Sequence, residues 1–182
     1  MTDLVLTLIA PDRPGLVEAV AQAVADHGGN WLESRMIHLA GQFSGILRVE
    51  VPPDRAAGLS QALEGLSSRG LRVIAAAVSR QTAVPGDSVN AGVPRVMSLE
   101  LVGLDRPGLV REISQLLAQH DVNVEELVTD RMSAPMSGEM LFRAEARVKV
   151  PAGVDPTRLR QRLERLATDL TIEIRLDEAA KV

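Results

Sequence analysis

Asp12-Arg13-Pro14-Gly15 and Asp105-Arg106-Pro107-Gly108 are the two places in this chain where residue type and spacing point to chemistry. Each stands where a run of alternating apolar residues gives way to one with helical spacing. An α-helix opens with unpaired amide groups and the positive end of its dipole, so a carboxylate is attracted there. Pro14 suits the first helical turn, where its missing N–H is not needed, and Gly15 lets a ligand come close to the backbone. Asp12 offers an acceptor to an ammonium group. Asn30, which follows the Gly28-Gly29 turn, can end beside the same loop and offers both a donor and an acceptor. A free amino acid needs that mixture. The local alternative is helix capping, which an Asp ahead of a proline-containing first turn also performs. Capping and binding are compatible, and both readings stand.

Other residues carry less. His27 and His120 occupy equivalent places near a helix C-terminus, where a cation is favoured, and helix-end stabilisation is the better account of them. His38 has no histidine counterpart and no triad spacing to Ser or Asp, so it receives no role. Glu33 and Glu126 form a repeated acidic position, read as solvated strand sites rather than as an acid–base pair. Met132, Met136 and Met140 cluster around one hairpin and are expected to fill irregular gaps. With no cysteine at all, thiolate metal sites, disulfides and cysteine catalysis are excluded. No catalytic set, metal site or cofactor is assigned.

The elements that must position these residues come in two copies. Asp12 to Val17 recurs unchanged as Asp105 to Val110, a shift of 93, and at that shift Gln22, Ala25, His27, Asn30, Glu33 and Ser44-Gly45 meet identical residues. Further on, Arg48 to Pro52 matches Arg147 to Pro151 at a shift of 99, so the second copy carries a longer hairpin, placed around Gly138 to Arg147. In the first copy Leu4, Leu6 and Leu8 alternate as a strand, and Leu16, Val17, Val20 and Val24 form a helical stripe that Gly28-Gly29 stops. Asn30 to Leu39 and Phe43 to Val51 read as a hairpin. Pro52-Pro53-Asp54 opens a second helix with Leu59, Ala62, Leu63 and Leu66 inward, Gly70 ends it, and Leu71 to Ser79 is a last strand. In the second copy Met97, Leu99 and Leu101 alternate, and Leu109, Val110, Ile113, Leu116 and Leu117 make the stripe. The predicted class is α+β: two ferredoxin-like βαββαβ domains with antiparallel sheets. Their expected bounds are residues 1–80 and 94–178, with a linker over 81–93 and a tail over 179–182.

The 182 residues include one Trp and two Phe, so both cores are expected to be aliphatic. Formal charge is −4, and neither half is basic. Without a basic excess or aromatic platforms, direct nucleic-acid binding is not expected. Arg158, Arg162 and Arg165 share a helix face, which solvation explains. No apolar run approaches the ~18 residues of a membrane helix, and the N-terminus lacks a basic signal-peptide region. A soluble, cytoplasmic protein is expected. Edge strands of such sheets pair readily, which points to a homodimer.

A DRPGLV segment after a strand, an aliphatic helix and an Asn at the next strand resemble the ACT domain, a small-molecule-binding regulatory module. The paired copies, with Asn30-Trp31-Leu32-Glu33-Ser34-Arg35 and Asn123-Val124-Glu125-Glu126-Leu127-Val128, resemble the glycine cleavage system transcriptional repressor family over almost the whole chain. That resemblance implies an amino-acid sensor whose ligand, glycine or serine, lies between adjacent ACT units. It implies contacts from Asp12, Arg13, Gly15 and Asn30, and from Asp105, Arg106, Gly108 and Asn123. It further implies regulation through a protein partner such as a DNA-binding activator. An accessory subunit of an amino-acid-metabolic enzyme is the alternative, and a small enzyme on the same fold a more distant one. Asp121-Val122 in place of Gly28-Gly29 could tilt Asn123 out of position.

Overall fold

A computed structural model describes residues 1–78, 93–134 and 138–179. The chain divides into two compact units, Met1–Pro85 and Gly86–Val182. The expected linker, apart from Val93, and the expected tail, apart from Ala179, lie outside the described residues, as do Met136 and Ser137.

The first unit runs β1 (Thr2–Pro11), α1 (Leu16–Asp26), β2 (Asn30–Leu39), β3 (Gln42–Val51), α2 (Ala56–Gly65) and β4 (Arg72–Ala77). The second runs β5 (Arg95–Leu104), α3 (Leu109–Gln119), β6 (Asn123–Ser133), β7 (Met140–Val150), α4 (Pro156–Leu170) and β8 (Ile172–Glu178). Both sheets are antiparallel, in the orders β2-β3-β1-β4 and β6-β7-β5-β8. These are the predicted α+β, ferredoxin-like βαββαβ units.

Strand alternation sends one face of each sheet to the helices. Leu4, Leu6, Leu8 and Ala10 of β1 meet Leu16, Val20 and Val24 of α1 and Leu59 and Leu63 of α2. Met97, Leu99 and Leu101 meet Ile113 and Leu117 of α3 and Leu159 and Leu163 of α4. Trp31, Phe43 and Phe142 reach only the margins, so the cores are aliphatic. Two expected core residues are exposed, Val17 at 45% and Val110 at 42%. The buried stripe follows positions i, i+4 and i+8, and a residue one step on is turned by about 100° toward the uncovered edge strand.

The helix ends show how one backbone tolerates two sequences. Gly28 closes α1 at φ +66°, and Asp121 does the same for α3 at φ +54°. The amides of Gly29 and Val122 then donate to Val24 and Leu117, at 2.8 and 3.0 Å. Asp tolerates the left-handed region better than most residues. Asn123 consequently faces Lys149 in register just as Asn30 faces Glu50, and the feared tilt is absent. Both edge strands also carry an irregularity at the same place, between Trp31 and Glu33 and between Val124 and Glu126.

The register corrects one repeat match. Leu8 faces Gly45 and Leu101 faces Ala144, so the counterpart of Gly45 is Ala144 and not Gly138. The extra residues of the second hairpin therefore lie around Ser133 to Met140, ahead of β7.

Candidate functional site

Each DRPG loop joins the end of the central strand to the first helix. The loop is strapped to the neighbouring hairpin: the Asp12 amide donates to the Gly41 carbonyl at 2.9 Å, and the Asp105 amide to that of Met140 at 2.8 Å. Gly15 and Gly108 are the N-cap residues, at φ +88° and +96°, where side chains are strained. Pro14 thus precedes the helix instead of entering its first turn, because α1 starts only at Leu16.

Neither helix has a side-chain cap. Asp12 and Asp105 turn away from the amides toward the end of the second strand. The Asp12 carboxylate lies 3.7 Å from His38 Nε2, and that of Asp105 lies 2.7 Å from Arg131 Nε. His38 faces Phe43 and Arg131 faces Phe142, so the two aspartate partners occupy equivalent positions. His38 has a counterpart after all, of another residue type. With the aspartates engaged there, the capping account of the loops falls, and the first amides of α1 and α3 face outward without a side-chain acceptor.

Beside the first loop lies a cleft of about 390 Å³ lined by Arg13, Gly15, Glu18, Gln22, Leu66 and Arg69, among others. Arg13 donates to the main-chain carbonyl of Arg69. Glu18 leans over Gly15, its Oε2 3.8 Å from where a Cβ there would stand. Among the described residues, neither Arg13 nor Arg69 meets a carboxylate at ion-pair distance. The cleft therefore offers two guanidinium groups, one carboxylate and an apolar floor from Leu16, Ala19, Leu66 and Leu71. Arg69 and Glu18 escaped the sequence reading, since neither recurs in the second copy. At the repeat offsets their places hold Asp169 and Arg111. In the second unit Arg106 lies 3.5 Å from Glu112, whose counterpart in the first unit is Ala19.

The asparagines lie elsewhere. Asn30 is level with Asp3 across Glu50, while the loop follows Pro11, level with Gln42. Eight residues of strand separate those rows, about 26 Å. Asn30 instead donates to Glu50 Oε1 at 3.3 Å. Asn123 stands at the same far end, facing Lys149. Within either unit the predicted loop and asparagine do not meet, because α1 or α3 carries the chain back to the start of the sheet before the next strand begins.

The histidines at the helix ends are structural: His27 Nδ1 bonds the Ala23 carbonyl at 2.8 Å, and His120 is the C-cap of α3. Glu33 lies 3.6 Å from Arg48, which Asp3 also holds at 2.5 Å. Those two carboxylates, Asp3 foremost, raise the Arg48 guanidinium above its ordinary range. Among the described residues, no group of three potential metal ligands occurs and no helix is long and apolar enough to cross a membrane.

Comparison with known proteins places this geometry. A model of the ACT domain matches residues 2–73 and 96–177. The glycine cleavage system transcriptional repressor of Escherichia coli (strain K12) is 25% identical over 170 residues, covering 93% of this chain and 86% of that protein. A crystal structure of an unknown protein from Galdieria sulphuraria superposes with a TM-score of 0.82 at 27% identity, over 98% of this chain and 99% of that one. A solved structure named for a candidate glycine cleavage system transcriptional repressor superposes at 0.67 and 20% identity, over 99% and 98%, which shows a common fold.

Proposed function

The chain belongs to the ACT domain family, and from that premise we propose that it is a non-enzymatic regulator that senses a small amino acid through the cleft beside Arg13. The observation that carries the reading is the pairing of charges there. Arg13 and Arg69 line the cleft without a carboxylate partner and can hold that of a ligand, Glu18 lines the same cleft and can hold an ammonium group, and Gly15 allows the ligand close to the α1 amides. Glycine and serine are the proposed ligands, a choice supported by the similarity to a glycine cleavage repressor.

In the second unit Glu112 already neutralises Arg106, so the first unit is the principal sensor. Asp12 and Asp105 hold their loops in shape against His38 and Arg131. Asn30 and Asn123 take part only where another unit brings its far end against a loop. Similarity to a glycine cleavage repressor over 93% of the chain supports a role in controlling transcription of amino-acid metabolism, acting through a protein partner. Charge balance supports the indirect route: a net −4 chain is poorly suited to binding a polyanion itself.

The test is thermal unfolding of the purified chain against each of the twenty amino acids. At a hundred times its dissociation constant a ligand adds about 2.7 kcal/mol, several degrees for a unit of this size. Glycine or serine is expected to raise the melting temperature, and Arg69→Ala to abolish the rise. A flat response to all twenty overturns the reading.

A further inference from the structure

The face of the first sheet turned away from its helices is apolar at its centre. Ile9, Ile37, Ile46 and Ile74 are 46%, 58%, 48% and 71% exposed. Register places them in two adjacent rows. From the β2 edge to the β4 edge, one row reads Arg35, Ile46, Thr7, Ile74, and the next reads Ile37, Ser44, Ile9, Arg72. Each row is the other reversed, with a hydroxyl residue opposite each central isoleucine. We propose that a second copy of this chain docks face to face on this surface.

A two-fold axis lying in the contact plane, across the strands and between the two rows, sets Ile46 of one copy over Ser44 of the other and Ile9 over Thr7. Large side chains then meet small ones on the two central strands, as packed sheets require, while at the edges the Arg35 and Arg72 stems lie over Ile37 and Ile74 with their charged ends at the rim. Ser44 loses nothing when covered, because its hydroxyl already donates to the Leu8 carbonyl at 3.0 Å. The four isoleucines with Leu39, 70% exposed, present roughly 500 Å² of apolar surface, at the upper end of what monomers leave bare. Two such faces bury about 1,000 Å², the level at which a specific interface begins.

Charge permits the stacking as well. Arg35, Arg48 and Arg72 on this face are matched by Asp3, Glu33 and Glu50, and Arg48 is already held by two of them. The second unit serves as an internal control. Glu145, Arg175, Asp130 and Arg143 stand at the positions of Ile46, Ile74, Ile37 and Ser44. Its face is charged where the first is apolar, so only one face per chain is suited to this contact.

Sedimentation equilibrium of the full chain tests the proposal. The wild type is expected to be a dimer at micromolar concentration, and Ile46→Glu with Ile74→Arg, which import the second unit's residues, a folded monomer by circular dichroism. A second measurement does not depend on that variant folding. The chain has no cysteine, so an equimolar mixture of Ile46→Cys and Ser44→Cys chains should be joined by a short bis-maleimide, which spans the about 10 Å between packed sheets that a disulfide cannot, whereas Glu145→Cys with Arg143→Cys should not. A monomeric wild type, a dimer that survives the charged substitutions in folded protein, or equal cross-linking on both faces overturns the proposal. None of these outcomes depends on whether an amino acid binds near Arg13.

Discussion

The two DRPG loops share a backbone and differ in how their charges are satisfied. Both are strapped to a hairpin, both start a helix at a left-handed glycine, and both send their aspartate to the end of the second strand. In the second unit each charged member has a partner: Arg131 for Asp105, Glu112 for Arg106. In the first, Asp12 has an exposed histidine at 3.7 Å, and Arg13 leans on a carbonyl beside another arginine. Duplication preserved the geometry, and substitution around it left Arg106 beside a carboxylate and Arg13 beside a carbonyl.

The packing beneath the loops differs in a compensated way, and breaking that compensation should have the largest effect. Gly45 lies under Met36, whose Cγ is 2.7 Å from where a Cβ would stand, while the second unit sets Ala144 against Thr129. Gly45→Ala should destabilise the first unit by about 1–3 kcal/mol. Adding Met36→Thr recreates the second unit's pair and should return much of that loss, which a double-mutant cycle by urea denaturation would measure. Additive losses would mean that the two positions are not coupled.

Next in size is the feature the loops share. Gly15→Ala and Gly108→Ala each place a Cβ on a left-handed residue and should cost about 1–2 kcal/mol, by similar amounts. Unequal losses would show that the backbones are less alike than their dihedral angles.

The salt bridges should separate the units again on a smaller scale. Asp105→Asn removes a 2.7 Å contact to Arg131 from a carboxylate only 23% exposed and should cost about 0.5–1 kcal/mol, while Asp12→Asn should change stability by less than about 0.5 kcal/mol. Denaturation midpoints of the two variants give the comparison directly.

Smallest in stability is Ala19→Glu, which gives the first unit the acid that the second carries at Glu112. Ala19 is half-buried at the margin of the core, but the same helix position carries Glu112 in the second unit, so stability should shift by less than about 0.5 kcal/mol. Arg13 would be neutralised, however, and the thermal response to glycine or serine should disappear. If the response persists, Arg13 does not hold the carboxylate.

Much of this was legible in the residues. The repeat, the element order and the aliphatic cores follow from identical segments and from spacings of two and of three to four, signals that burial of one face imposes locally. Val17 and Val110 misled because an apolar residue beside a buried stripe looks like part of it. Asn30 misled for a different reason. Eighteen residues from Asp12 in sequence, it is carried about 16 Å back along the sheet by the eleven-residue helix between them. The equivalence of His38 and Arg131 was hidden because identity was the search criterion, and a position can keep its partner, the loop aspartate, while changing its residue. Arg69 and Glu18 left no trace in the repeat because asymmetry is what makes the cleft.

The irregularity shared by β2 and β6 bears on what could pair with those two strands. An edge strand is an open row of hydrogen-bonding groups, which a strand from any other molecule can extend. Where two residues stand against one, between Trp31 and Glu33 and again between Val124 and Glu126, that row loses its regular spacing and twists. A foreign strand growing along either edge would lose its ladder at that point. Placed near the start of each edge strand, the bulge shortens the stretch open to uncontrolled sheet growth toward fibrils.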